Sequence, residues 1–111
     1  MTDSIFTRII QGEIPADKVY EDELVICIKD INPKAPVHLL LIPKNPIISL
    51  AHLQPEDAQL MGHMTMLLPV IAKSMGLDDG FRTIINTGKG GGQEVDHLHF
   101  HILGGRLLGF E

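Results

Sequence analysis

Near the C-terminus the chain reads His97-Leu98-His99-Phe100-His101-Ile102-Leu103, three histidines alternating with large apolar residues. Side chains on a β-strand alternate faces with period two. The pattern therefore predicts a strand with all three imidazoles on one face, neighbouring rings roughly 6.5–7 Å apart. Leu98, Phe100 and Ile102 fall on the opposite face and belong in the core. A solvated strand face would carry Lys, Glu or Thr. A row of groups that titrate near neutral pH, held on a rigid element, suits nucleophilic attack, proton transfer or metal binding.

The glycine-rich segment Asn86-Thr87-Gly88-Lys89-Gly90-Gly91-Gly92-Gln93-Glu94 leads straight into this strand. Glycines let backbone N–H groups approach a ligand closely, and such loops form nests for anions. The segment lacks the Gly-Lys-Ser/Thr ending of a Walker loop, and a strand follows it instead of a helix. Beside three histidines it reads as a phosphate cradle.

These groups must be positioned by the rest of the chain. Ser4 to Gln11 has Ile5, Phe6, Ile9 and Ile10 at helical spacing, and Gly12 and Pro15 end that helix. Val19 to Glu21 and Leu24 to Lys29 form a hairpin about Glu21-Asp22-Glu23. A proline-bounded loop, Asp30 to Pro36, precedes a strand from His38 to Pro43 that is apolar enough for burial on both faces. A long helix is expected from about Pro55 to Met75, with Pro55, Glu56 and Asp57 suited to its first turn and a kink at Pro69. Met61, Met64 and Met66 read as ordinary helix packing. Phe81 to Asn86 is a further strand. Five short strands and two helices in this order predict a single α+β domain, residues 1–111, with a mostly antiparallel sheet.

Composition limits the partners. One domain of 111 residues builds one core, and 44% hydrophobic content argues against disorder. A net charge of −5 argues against a non-specific nucleic-acid binder. The single cysteine, Cys27, lies in the apolar run Leu24-Val25-Ile26-Cys27-Ile28 and reads as a buried thiol, in keeping with a reducing compartment. The start Met1-Thr2-Asp3-Ser4 has no apolar signal region, and no apolar stretch is long enough to span a bilayer. A cytoplasmic protein is expected.

The segment from Gly91 to Arg106 resembles the signature of the histidine triad (HIT) family, His-x-His-x-His followed by apolar residues. Asp30 to Lys44 and Gly12-Glu13-Ile14-Pro15 match the family as well, so the resemblance covers nearly the whole chain. The ending Gly104-Gly105-Arg106 is similar to the nucleoside phosphoramidate hydrolase branch. The dinucleoside polyphosphate hydrolases tend to carry Pro-Arg there, and the transferases replace the third histidine with glutamine.

The resemblance implies a HIT-like fold and a role for each matching position. His99 is the expected nucleophile, attacking the α-phosphorus of a purine nucleoside phosphoramidate through Nε2. A nucleotidyl-histidine forms, the amine departs, and water releases the nucleoside monophosphate. Imidazole is nucleophilic at neutral pH when its other nitrogen is fixed by an acceptor. His101 is expected on the phosphate oxygens, with His97 and His38 completing the polar network. Asn86 and the backbone N–H groups of Gly92, Gln93, Glu94 and Val95 would hold the phosphate. Asp30 would accept both ribose hydroxyls, and nearby apolar residues such as Ile26 would sandwich the base. No cofactor is implied, and a homodimer with a shared sheet is.

The chain departs from its relatives at Glu94, where some carry Ser or Thr, and at Asp96, where many carry an aromatic residue. An ionised glutamate cannot donate a hydrogen bond to a leaving group as a hydroxyl does. Histidines on one face also ligate zinc, so a zinc-dependent phosphohydrolase or a nucleotide-binding regulator is the rival expectation. After Arg106 the sequence has only Leu107, Leu108, Gly109, Phe110 and Glu111, which predicts an open leaving-group side and broad tolerance of amine size.

Overall fold

The computed structural model describes residues 4–106 and 109. Helix α1 (Ile5–Ile10) is followed by strands β1 (Lys18–Glu21), β2 (Val25–Lys29) and β3 (Val37–Pro43). Helix α2 (Ala58–Ser74) leads to β4 (Arg82–Ile84) and β5 (Phe100–Gly104). The five strands form one antiparallel sheet in the order β1-β2-β3-β5-β4. This is the expected α+β architecture, and no helix among the described residues is long and apolar enough to cross a membrane.

Period-two alternation divides the sheet into two faces. Val25 and Cys27 of β2, Leu39 and Leu41 of β3, and Phe100 and Ile102 of β5 pack with Leu98 against Met64, Leu67, Leu68 and Ile71 of α2. On the other face Ile26, Ile28, Leu40 and Ile42 pack beneath Phe6 and Ile9 of α1. Strand β3 is buried along nearly its whole length because helices cover both its faces. Burial pushes the Cys27 thiol up to about 12, so it stays protonated.

Element boundaries follow local chemistry. Ser4 caps α1 by accepting a hydrogen bond from the Thr7 N–H. Asp22 fixes the hairpin turn by accepting from the N–H groups of Leu24 and Val25. Pro55–Asp57 forms a 3-10 turn that continues into α2. Pro69 is exposed and lies within a single continuous helical element. Met64 is fully buried and Met61 packs against the core, but Met66 is 71% exposed and takes no part in that packing.

The histidine segment corrects the predicted strand. Only Phe100–Gly104 pairs in the sheet, so His101 alone of the three lies on a strand. The backbone before Phe100 is engaged elsewhere: Leu98 N–H bonds to the Ile47 carbonyl and His97 N–H to the Val95 carbonyl. The alternation survives without the ladder, since Leu98 is buried on the α2 face. The rings of His99 and His101 stand 5.0 Å apart between centroids, closer than strand geometry predicts. The strand expected over Phe81 to Asn86 shortens to β4.

Candidate active site

Backbone groups of fixed polarity set the tautomer of each histidine. The Lys34 N–H can only donate, so His38 Nδ1 accepts it at 3.0 Å. A neutral imidazole has one donor and one acceptor nitrogen, so His38 Nε2 carries the proton. That N–H points to His101 Nδ1 at 2.9 Å and lies 3.4 Å from Asp30 Oδ2. His101 Nδ1 is then an acceptor, and His101 Nε2 carries a proton with no partner among the described residues.

The second half of the network is built the same way. His97 Nε2 donates to the Pro43 carbonyl at 2.8 Å. Its Nδ1 accepts from hydroxyls at the start of α1, Ser4 Oγ at 3.1 Å and Thr7 Oγ1 at 3.3 Å. His99 Nδ1 donates to the His97 carbonyl at 2.7 Å, which leaves a bare lone pair on His99 Nε2. The Phe6 ring packs edge-on against His99 at 4.9 Å between centroids. His97 is 1% and His99 7% exposed, so both rings are held by packing as well as hydrogen bonds.

Burial lowers the pKa of His38, and the Asp30 carboxylate only partly offsets it. Burial likewise lowers that of His97. His101 falls to about 4, through burial and then the neighbouring His99 and His38. His38, His97 and His101 are therefore neutral at pH 7, as the tautomer chain requires.

The histidines open onto two adjoining cavities. The first, about 290 Å3, has apolar walls that include Phe6, Ile9, Ile14, Ile28, Leu40 and Val95, and His99 lines it. The second, about 380 Å3, is more polar and is lined by Lys34, His38, Arg82 and Arg106 among others. Asp30, Asn86, Glu94 and His101 belong to both and form the wall between them.

The expected site residues mostly converge here. Asp30 caps its loop through the Asn32 N–H at 2.8 Å and also faces His38. Asn86 donates to the Gly91 carbonyl at 2.8 Å, so its amide braces the glycine loop while lining both cavities. Gly92 lines the apolar cavity with φ +81°, a conformation costly for any other residue. The phosphate cradle is narrower than the sequence reading, because the N–H groups of Gly92 and Gln93 are bonded to Lys89 and Gly88 carbonyls. Only the Glu94 and Val95 N–H groups remain unpartnered among the described residues. Gln93 is a brace: its amide bonds Gly88, Ile48 and Val95 backbone groups. Ile26 is fully buried beneath the cavity, and Ile28, two residues on, forms the wall.

Sequence reading missed the α1 contribution of Ser4, Phe6 and Thr7, although Ser before an apolar periodic run is a legible cap signal. It also missed Lys34 and Arg82, which carry no local signature. For a metal, Asp30, His38 and His101 offer ligand atoms within 4.8 Å of one another. Leu107, Leu108 and Phe110, on which the expectation of an open leaving-group side rests, lie outside the described residues.

A HIT domain profile matches residues 11–108. The chain is 61% identical over 104 residues to Protein HitA of Neisseria gonorrhoeae, covering 94% of this chain and 97% of that one. It is 46% identical over 108 residues to the purine nucleoside phosphoramidase of Escherichia coli strain K12, covering 96% and 91%. Among solved structures, a HIT family hydrolase from Legionella pneumophila Philadelphia 1 superposes with a TM-score of 0.94 at 40% identity, covering 97% of both chains. With the profile, the relatives and the geometry in agreement, the chain belongs to the HIT family.

Proposed function

We propose that the protein is a purine nucleoside phosphoramidase acting through a covalent nucleotidyl-His99 intermediate. The observation that carries this reading is the fixed tautomer of His99, whose Nδ1–H is held at 2.7 Å by a carbonyl and whose Nε2 lone pair is free at the wall of an apolar cleft. In the first step Nε2 forms a bond to phosphorus while the phosphorus–nitrogen bond breaks. The departing nitrogen takes a proton from solvent and leaves as the amine. The imidazolium so formed is stabilised by its short bond to the His97 carbonyl. His101 Nε2–H and the Glu94 and Val95 N–H groups, which have no partner among the described residues, donate to the phosphoryl oxygens as charge develops there. Water then displaces His99 from phosphorus and returns the ring to its neutral form. The apolar cleft takes the base, and Asp30 takes the ribose hydroxyls. The phosphoramidase name of the 46% identical relative supports the substrate class.

The test is hydrolysis of adenosine 5′-phosphoramidate with and without a strong chelator, with intact-mass detection of a nucleotidylated protein in rapid-quench samples. Turnover that survives chelation, with the adduct on His99, is the expected result. The Asp30, His38 and His101 cluster favours zinc as the second reading. An ion there must displace the 2.9 Å bond between His38 and His101. Turnover lost to chelation and restored by zinc would establish that reading, and nucleotide binding without turnover would establish a regulator.

We further propose a homodimer. One side of β4 is unpaired among the described residues, an association hazard that pairing with a second copy removes. Met66 and Val70, four residues apart on α2, are 71% and 58% exposed and supply an apolar face. Sedimentation velocity at micromolar concentration should show a dimer; a monomer refutes it.

A further inference from the structure

The phosphoramidase reading leaves the cationic side chains that line the polar cavity, Arg82, Lys34 and Arg106, without a task. Arg82 opens β4 opposite Leu103 of β5, and Ile84 lies opposite His101. Cross-strand partners share a face, so Arg82 stands on the histidine face, diagonal to His101. Diagonal neighbours lie roughly 7–8 Å apart, within reach of a long side chain. The residue is part-buried, and its side chain lines the polar cavity. It has no ion pair or hydrogen bond among the described residues.

Other cations of the chain are engaged differently. Arg8, Lys18, Lys29 and Lys44 each meet a carboxylate at 2.8–3.8 Å on the surface. Holding a charge partly out of water without a counter-ion is unfavourable, and an anion entering the cavity relieves that cost. A guanidinium also matches a carboxylate through two parallel hydrogen bonds. Lys34 lines the same cavity, and its charge helps to depress the pKa of both His38 and His101. Of the two carboxylates present, Asp30 is committed to Asn32 and His38, and Glu94 stands on the dividing wall without pairing to Arg82.

If the apolar cleft holds the nucleoside and phosphorus sits between His99 and His101, the leaving group extends into the polar cavity. We infer that Arg82, assisted by Lys34, binds an anion on the leaving group, so that the preferred substrates release a carboxylate-bearing amine, of which an N-linked amino acid is the simplest. This inference rests on the phosphoramidase reading for its chemistry. The anion subsite itself is testable without turnover.

The experiment compares adenosine 5′-phosphoramidates of glycine and glycinamide, which differ in the carboxylate. Wild-type protein should favour glycine by about tenfold in kcat/KM, as expected of one charge-assisted pair. Arg82→Gln should bring the ratio close to one, Arg82→Lys should retain part of it, and Lys34→Gln, on an exposed loop, should lower it by a smaller factor. A calorimetric arm uses the non-hydrolysable adenosine 5′-O-(N-carboxymethyl)sulfamate and its carboxamide. The carboxylate should bind about tenfold more tightly, and the difference should shrink with salt. No preference in the wild type, or a ratio unmoved in both Arg82→Gln and Lys34→Gln, overturns the subsite. Adenosine 5′-diphosphate carries the other anion the cavity could take. An Arg82-dependent gain over the monophosphate, without any glycine preference, overturns the carboxylate assignment. A binding preference without turnover of either phosphoramidate would sink the phosphoramidase reading and leave the subsite standing.

Discussion

At the residue scale, function rests on which nitrogen of each imidazole carries a proton. No pattern in the sequence specifies this. It follows from a carbonyl at Pro43, a carbonyl at His97 and an N–H at Lys34, each able to play only one part. His99→Asn should abolish nucleotidyl transfer, because an amide nitrogen has no lone pair to offer phosphorus. Asn is preferred to Ala because His99 is buried, and a truncated side chain would leave the His97 carbonyl without its donor. Residual turnover near wild type, with thermal stability unchanged, would show that another group is the nucleophile. Asp30→Asn retains an oxygen for the Asn32 N–H but removes the carboxylate. It should weaken ribonucleotides severalfold more than 2′-deoxyribonucleotides, since only the former offer both hydroxyls to that acceptor. Equal losses in titrations with both sugars would remove Asp30 from the ribose site.

At the element scale, the histidine segment is held between β3 and α1. Helix α1 is only six residues long and depends on its cap and on Phe6 and Ile9 packing into the sheet. Ser4 caps that helix and also donates to His97, so one hydroxyl ties the helix start to the site. Ser4→Ala should cost about 0.5–2 kcal/mol in stability, as N-cap losses do. It should also lower kcat, because His97 loses an anchor and its carbonyl positions His99; Ser4→Thr should restore most of both. A stability loss in chemical denaturation with kcat untouched would confine Ser4 to helix capping. A second tie joins α2 to the β1–β2 turn. Asp22 accepts from Tyr20 at 2.8 Å and from His63 at 2.7 Å, besides its two backbone donors. Burial raises its pKa, but these hydrogen bonds outweigh burial and hold it at about 2.

At the scale of the whole molecule, buried neutral imidazoles make stability depend on pH. His38, His97 and His101 have folded-state pKa values below the ordinary imidazole value near 6.5, with His101 at about 4. Below pH 6.5 the unfolded chain therefore binds protons that the folded chain refuses, and stability falls with pH. The contribution is complete above 6.5 and is lost progressively toward pH 4. Asp22 acts in the same direction but lower, toward pH 2, so the two windows separate. Melting temperature should stay level from pH 8 to 7 and drop between pH 6.5 and 4.5; a flat profile across that interval would contradict neutral burial of these rings.

The sequence by itself determined the antiparallel α+β sheet and most of its elements, because alternation in β2, β3 and the histidine segment is strict and proline, glycine and Ser4 punctuate it. It also determined that His97, His99 and His101 share a side opposite Leu98, Phe100 and Ile102, since side-chain alternation persists in extended chain even where no ladder forms. Only the tertiary structure decided that His97 and His99 leave the ladder, because the Pro43 carbonyl takes the His97 ring and the Ile47 carbonyl takes the Leu98 N–H between them, both from distant positions in the chain. Tertiary structure likewise chose Ile28 over Ile26 as cavity wall: adjacent positions of one face look alike in sequence, and their places along β2 separate them, Ile28 lying opposite the cavity-lining Leu40 and Ile26 opposite Ile42. The Arg82 placement is of the same kind, since a lone arginine has no local pattern, and its meaning comes from the β4–β5 register that sets it beside His101.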